Sequence, residues 1–307
     1  MRVDLIGVPL GLGANAAGPE RGPQALRAAG LPAALRARAH AVFDRGDLPA
    51  PGVASAPAPG PGPRHLGPIV DVASRLVGET AAAVARGAFP LVLGGDHSVA
   101  LGSIGGAARG RRLGVVWMDA HADFNTTETS PSGNLHGMPL AALAGLGDPR
   151  LVGLSGARGR VVDPRRVALL GVRSIDPGER ALLAGAGVTV IGAREVERLG
   201  IAEATGRALE VASRGADGIY LSFDVDVLDP GCAPGVTTPV PGGLAPDEAR
   251  LACALIQESG RLIGMDVVEL TPSADAAGGT ARLVVDLICA AAGGGRPSPA
   301  SGDGRPW

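Results

Sequence analysis

The chain has 307 residues, long enough to bury a sizeable core, and a formal net charge of −2, so its bulk electrostatics draw it neither to nucleic acid nor to an anionic membrane. Every basic residue is Arg and aromatics are only 2%, which excludes a P-loop lysine, Schiff-base chemistry on lysine and aromatic platforms for single-stranded nucleic acid. Gly (49) and Pro (26) are abundant, yet hydrophobic residues reach 46%, the composition of a globular body with Pro/Gly-rich patches rather than of a disordered chain.

Along the chain, apolar runs alternate with helical stretches, the pattern of a parallel sheet covered by helices. Strands are expected at 3–8, 90–93, 113–118, 167–172, 188–191, 218–223 and 262–268, and helices at 23–38, 69–87, 98–108, 178–184, 202–214, 246–258 and 279–291. The start, MRVDLIGVPL, lacks the long apolar stretch of a signal peptide, and no run of about 18 apolar residues occurs, so a soluble cytoplasmic protein is expected. Gly11-x-Gly13-x-x-Ala16 after the first strand formally matches a dinucleotide-binding fingerprint, but no acidic residue stands about 20 positions on, and Pro19 and Pro23 crowd the helix start. Residues 49–68 are too rich in Pro and Gly for an element interior and read as a surface excursion; 293–307 read as a disordered tail, leaving a single domain over 1–292. Cys232, Cys253 and Cys289 are odd in number and without CxxC spacing, which suits free thiols in a reducing compartment.

Four of the expected strands run straight into polar clusters: LVL into Gly94-Gly95-Asp96-His97, VVWM into Asp119-Ala-His121-Ala-Asp123, IYLSF into Asp224-Val-Asp226, and LIGMDVV into Glu269. In an open parallel sheet the carboxyl ends of strands are where ligands bind. In extended chain, residues i, i+2 and i+4 project to one side, so Asp119, His121 and Asp123 should converge, as should Asp224 and Asp226. Crowding four carboxylates in a partly buried cleft is unfavourable unless protons or cations neutralise them, and two divalent ions would cancel the charge. Alone, each Asp reads as a cap or turn residue, but capping has no need of His at alternating positions. With His97 the set reaches six candidate ligands. The cysteine positions exclude a Cys-based zinc site and calcium loops use no His, so a dinuclear Mn²⁺ centre is favoured. Such a pair, roughly 3.5–4 Å apart, would hold a shared water and lower its pKa to yield hydroxide near neutral pH.

GGDHS at 94–98, DAHADFNT at 119–126, SGNLHGMPL at 132–140, SFDVDVLDP at 222–230 and MDVVEL at 265–270 together resemble the ureohydrolase (arginase and agmatinase) family, and most of all its bacterial arginases. The resemblance runs from Ile6 to about Ala291. It implies a three-layer α/β/α fold around a parallel sheet of about eight strands, two Mn²⁺ ions, a small guanidino substrate and association into homotrimers or homohexamers. Carried over by position, it implies that His97, Asp119, Asp123 and Asp224 bind one ion and that Asp119, His121, Asp224 and Asp226 bind the other.

The activity so implied is hydrolysis of L-arginine to L-ornithine and urea by attack of the shared hydroxide on the guanidinium carbon. Asp123 would orient that nucleophile, Glu269 would pair with the guanidinium, and His136 would shuttle a proton at the near-neutral pKa usual for imidazole. Asn125, Ser132 and Asp176 sit where arginases place the groups that receive the α-carboxylate and α-ammonium, with Ser130, Asn134 and Thr238 as lesser contacts. Ser174, Thr237 and Leu270-Thr271-Pro272 depart from the common arginase pattern and bear on the shape of the substrate pocket. His40 and His65 have no comparable company and read as solvent-exposed. The alternatives are an agmatinase or guanidinobutyrase, against which SGNLHG and Asp176 speak, and a metal-binding homologue without turnover.

Overall fold

Successive strand residues alternate between two apolar faces. Leu91, Leu93, Val116, Met118, Leu221 and Phe223 pack into one core, whereas Val92, Val115, Trp117 and Tyr220 pack into a second on the opposite face. Burial on both faces is what near-continuous apolar runs such as LGVVWM require. The structure, a computed structural model, describes residues 1–52, 63–154, 156 and 159–294. In it the strands β1 (Arg2–Val8), β2 (Ala41–Asp47), β3 (Phe89–Gly94), β4 (Leu113–Met118), β5 (Val167–Leu170), β6 (Thr189–Ile191), β7 (Gly218–Asp224) and β8 (Leu262–Val268) form one parallel sheet in the order β2-β1-β3-β8-β7-β4-β5-β6. Helices Gly22–Ala28, Leu31–Ala37, Ala193–Leu199, Ile201–Ser213, Pro246–Glu258 and Gly279–Ala292 cover the first face. Leu66–Ala85, Ala100–Ala107, Pro139–Leu143, Pro149–Val152 and Pro177–Ala186 cover the second. This is the expected three-layer α/β/α architecture.

The strand order brings β3, β8, β7 and β4 side by side at the centre of the sheet. These are the four strands whose ends carry the polar clusters, so clusters far apart in sequence share one sheet edge. The loops there pack backbone to backbone: Asp96 N donates to Leu10 O (2.7 Å) and Glu269 N donates to Gly95 O (2.7 Å). A Cβ on Gly95 would lie 1.8 Å from Leu10 O, so only glycine lets the ends of β1, β3 and β8 approach this closely.

Several expectations are corrected. The seven strands read from apolar runs are present with small boundary shifts, but β2 was not read, because AVFDRGD forms an exposed edge with no apolar run to signal it. Its acids are held by Arg27, whose Nε meets Asp44 Oδ2 at 2.8 Å and whose Nη1 meets Asp47 Oδ1 at 2.5 Å. The helix expected over 23–38 is two helices, broken where Gly30 turns left-handed (φ +91°). The Pro/Gly-rich segment ends earlier than expected, since a helix begins at Leu66; its residues 53–62, like 295–307 of the tail, lie outside the described residues. His40 is buried rather than exposed: its Nε2 meets Gly293 O at 3.0 Å, just past the Gly279–Ala292 helix, whose last carbonyls need partners. His65 is half-buried. All three cysteines are free, and among the described residues no helix is long and apolar enough to cross a membrane.

Candidate active site

The side chains that converge do so by turns rather than by extended chain. Beyond β4 the backbone bends at once: Asp119 Oδ1 accepts from His121 N (2.6 Å), and Asp123 is left-handed (φ +50°). Asp224 ends β7 and caps the 3₁₀ turn Val225–Val227, its Oδ1 accepting from Asp226 N (2.8 Å). These side chains thus come together not by strand alternation but because an Asp followed two residues on by a free N–H folds back on itself.

His97, from the turn after β3, places Nδ1 2.9 Å from Asp123 Oδ2, 3.1 Å from Asp224 Oδ2 and 3.2 Å from Asp119 Oδ2. His121 Nδ1 lies 3.0 Å from Asp226 Oδ2 and 3.5 Å from Asp119 Oδ1. Two sets of potential ligand atoms result, His97–Asp119–Asp224 and Asp119–His121–Asp226, each within 4.8 Å of one another. Asp119 belongs to both, whereas Asp224, given to both ions by the resemblance, falls in the first set only. Asp123 joins through His97.

This donor set fits a pair of cations. His97 Nδ1 is buried among three carboxylate oxygens yet has no hydrogen bond of proper geometry among the described residues. Its ring is fixed from behind, Nε2 lying 2.9 Å from Ser222 Oγ, and stacks on Trp117 at 4.1 Å. A nitrogen lone pair held rigidly among carboxylates suits a divalent ion. Without cations, protons substitute for them. Burial pushes Asp224 well above the usual carboxylate range, with Asp226 and Asp119 adding to it, and lifts Asp123 to about 6, with Asp119 adding. For His121, burial works against the charge, but bonds to Asp119 and Asp226 outweigh it and push the imidazole up to about 12.

Above this cluster opens a cleft of about 240 Å³, and all six expected substrate contacts, Asn125, Ser130, Ser132, Asn134, Asp176 and Thr238, line it together with His121, Asp123, Asp224 and His136. Several also build the wall. Asn125 donates from Nδ2 to Asp176 Oδ2 (2.9 Å) and accepts at Oδ1 from Thr129 Oγ1 (3.0 Å). Ser130 Oγ accepts from Gly133 N, Ser132 Oγ accepts from Asn134 N, and Thr238 Oγ1 donates to Asp226 Oδ2.

Two polar side chains in the lining, those of Glu179 and Asn15, were not anticipated. Glu179 is buried, accepting from Phe124 N at Oε1 (2.6 Å) and from Asp176 N at Oε2 (3.1 Å), so it ties the Asp123–Asn125 loop to the start of the Pro177–Ala186 helix; burial pushes its carboxyl up to about 7. The capping-box spacing Asp176-Pro-Gly-Glu179 was its one local signal. Asn15, which accepts from Asn134 Nδ2, had none. The Gly11–Ala16 stretch containing it forms turns and opens no helix; the first helical turn begins at Pro19.

Glu269, left-handed at φ +64° just past β8, is buried and, unlike His136, is not among the residues that line the cleft. Its Oε1 accepts from His97 N (2.9 Å) and faces His136 Nδ1 (3.0 Å), while Oε2 is buried without a partner among the described residues. Burial would lower the His136 pKa, but Glu269 overrides it and pushes the imidazole up to about 9, not the near-neutral value expected. In the metal-free chain we expect the His136 ring resonances to titrate near 9, and at clearly lower pH after Glu269→Gln, because burial is then opposed only by Asp123 and Asp96. Because folding raises this pKa above 6.5, the stabilisation it provides should be complete below about pH 6.5 and lost as pH rises through about 9, which denaturant unfolding at several pH values will measure.

A model of the arginase family matches residues 1–293. The arginase of Bacillus caldovelox is 40% identical over 289 residues, covering 93% of this chain and 96% of that one, and that of Bacillus subtilis strain 168 is 38% identical over 287 residues, covering 93% and 96%. The native arginase structure from Bacillus caldovelox superimposes with a TM-score of 0.91 at 40% identity, covering 94% of this chain and 97% of that one. A structure described as a hypothetical agmatinase from Burkholderia thailandensis gives 0.71 at 26% identity, covering 94% and 84%. Sheet order, the shared-carboxylate cluster and sequence likeness over nearly the whole chain agree, and the chain belongs to the arginase family.

Proposed function

We propose that this protein is a Mn²⁺-dependent hydrolase that converts L-arginine to L-ornithine and urea. The observation that carries the reading is the pair of donor sets joined through Asp119 directly beneath a polar cleft. On this reading His97, Asp119, Asp123 and Asp224 would hold one ion and Asp119, His121, Asp226 and, as the resemblance implies, Asp224 the other. Bound there, the two ions supply a water of lowered pKa as nucleophile.

The remaining work falls to the chain's own side chains. A guanidinium is planar and always charged, so it needs a carboxylate partner, and that role falls to Glu269, whose Oε2 is buried without a hydrogen-bond partner among the described residues. Asp123 accepts a hydrogen bond from the attacking water and so orients it. His136, held protonated by Glu269, gives a proton to the departing amine nitrogen. Asn125, Ser130, Ser132 and Asn134 offer donors to the α-carboxylate, Asp176 accepts from the α-ammonium, and Thr238 completes the wall. A cytoplasmic homotrimer or homohexamer belongs to the same reading.

Likeness supports arginine over agmatine, the Bacillus caldovelox arginase structure standing well above the agmatinase one in TM-score and identity. We expect urea release to require added Mn²⁺ and to be at least about a hundredfold greater in kcat/KM for arginine than for agmatine or 4-guanidinobutyrate, since the polar groups facing the missing carboxylate would go unpaired. Equal or greater turnover of agmatine would overturn the substrate assignment, and Mn²⁺ uptake without urea from any of them would favour the non-catalytic homologue.

A further inference from the structure

Arg173 follows β5 and is half-buried behind the acidic cluster, yet forms no ion pair among the described residues. Its guanidinium is spent on backbone carbonyls from three separate segments. Nη2 donates to Asp226 O (2.7 Å), Leu228 O (3.2 Å) and Val240 O (2.7 Å), Nη1 to Gly171 O and Val227 O (both 3.2 Å), and Nε to Val240 O (3.1 Å). Its own N–H donates to Ala120 O (2.9 Å), between Asp119 and His121, and Ala120 N in turn donates to Asp226 Oδ1 (3.1 Å).

We propose that Arg173 is a positioning residue that assembles the Asp119–His121–Asp226 donor set and fastens to it the loop that carries Thr238. This rests on the functional reading above. Its backbone anchors the Asp119–His121 turn, while its side chain caps the exit of the Val225–Val227 turn that carries Asp226. Val240 O brings in the segment whose Thr238 bonds Asp226 Oδ2. Burial disfavours the positive charge, and Asp226, Asp119, Asp229 and Asp224 offset that cost only in part, so the guanidinium is held there by its hydrogen bonds.

The effect is lopsided. His97 reaches the cluster from β3 on the far side, fixed by Ser222 and Trp117, and Asp224 precedes the turn that Arg173 caps. Arg173 thus serves the second set far more than His97–Asp119–Asp224. Lysine cannot substitute, because one ammonium with three donors cannot span five carbonyls in a planar fan.

The test is Mn²⁺ titration of the metal-free full-length chain by calorimetry and electron paramagnetic resonance, comparing wild type with Arg173→Met and Arg173→Lys. One of the two ions should bind about 10- to 100-fold more weakly in both variants, the other should bind as in wild type, and the spin-coupled signal of the pair should be lost at intermediate Mn²⁺. Arginine turnover should then recover at high Mn²⁺ with a raised KM, through Thr238, rather than a lowered kcat. Two ions binding Arg173→Met as they bind wild type would overturn the assignment, and so would equal weakening of both ions accompanied by a matching fall in the thermal midpoint of the metal-free chain, which marks a merely structural role. If Arg173→Met does not fold, Arg173→Lys carries the same comparison. A wild-type chain that takes up no pair of ions overturns the functional reading itself, and is told apart by needing no variant.

Discussion

Asp123→Asn should lower kcat/KM for arginine by at least about a hundredfold, the lower end of what a positioned acid–base group contributes, while leaving the fold intact. The substitution is unusually clean. Asp123 is left-handed at φ +50°, a conformation that costs most residues about 1 kcal/mol or more but that asparagine tolerates well, so the backbone is kept while the charge is removed. Two consequences of opposite sign follow. In the metal-free chain, loss of one carboxylate from a cluster where Asp119 already raises the Asp123 pKa should leave the thermal midpoint unchanged or higher. With Mn²⁺ present, the stabilisation conferred by binding should shrink, because the ion facing His97 loses a ligand. Turnover at the wild-type level, or an equal fall of the midpoint with and without Mn²⁺, would contradict the role given to Asp123.

Glu269→Gln should cost about 2–5 kcal/mol in transition-state binding, roughly 30- to several-thousandfold in kcat/KM, the usual range for removing one partner of a buried, hydrogen-bonded charge pair. Glutamine matches glutamate in size, so the contacts of the left-handed loop after β8 survive. What disappears is the charge on a carboxylate whose Oε1 is committed to His97 N and His136 and whose Oε2 faces no protein donor among the described residues. The amide would present an N–H to a guanidinium that has only donors to offer. Binding of guanidinium ion as a competitive inhibitor should weaken in parallel with kcat/KM. Wild-type turnover by Glu269→Gln, or weakened turnover with unchanged guanidinium binding, would show that Glu269 does not hold the substrate cation.

The segments that carry the donor sets were legible because their chemistry is local. DAHAD and DVD each crowd like charges within a few residues, and that density is uncommon unless something neutralises it. How the residues meet was not legible. Asp123 turns left-handed and Asp224 caps a 3₁₀ turn, where extended geometry had been expected. His40 looked idle because the carbonyl it meets, that of Gly293, comes from the other end of the chain. His136 was expected to shuttle a proton at an ordinary imidazole pKa because the carboxylate that raises it stands more than a hundred residues away, just past β8.

From its residues alone, the chain established an α/β protein with carboxylate and imidazole clusters at strand ends, since burial on both faces and charge crowding are properties of short stretches. Tertiary structure alone showed that β3, β8, β7 and β4 are neighbours, that Asp119 but not Asp224 enters two donor sets, and that Glu179 and Arg173 bond backbone groups of the Asp123–Asn125 and Asp226–Leu228 segments. A glutamate three residues into a helix and an arginine after a strand are ordinary locally. Their importance arises only when the order of strands brings distant backbone N–H and C=O groups within hydrogen-bond reach, and a sequence does not display that order.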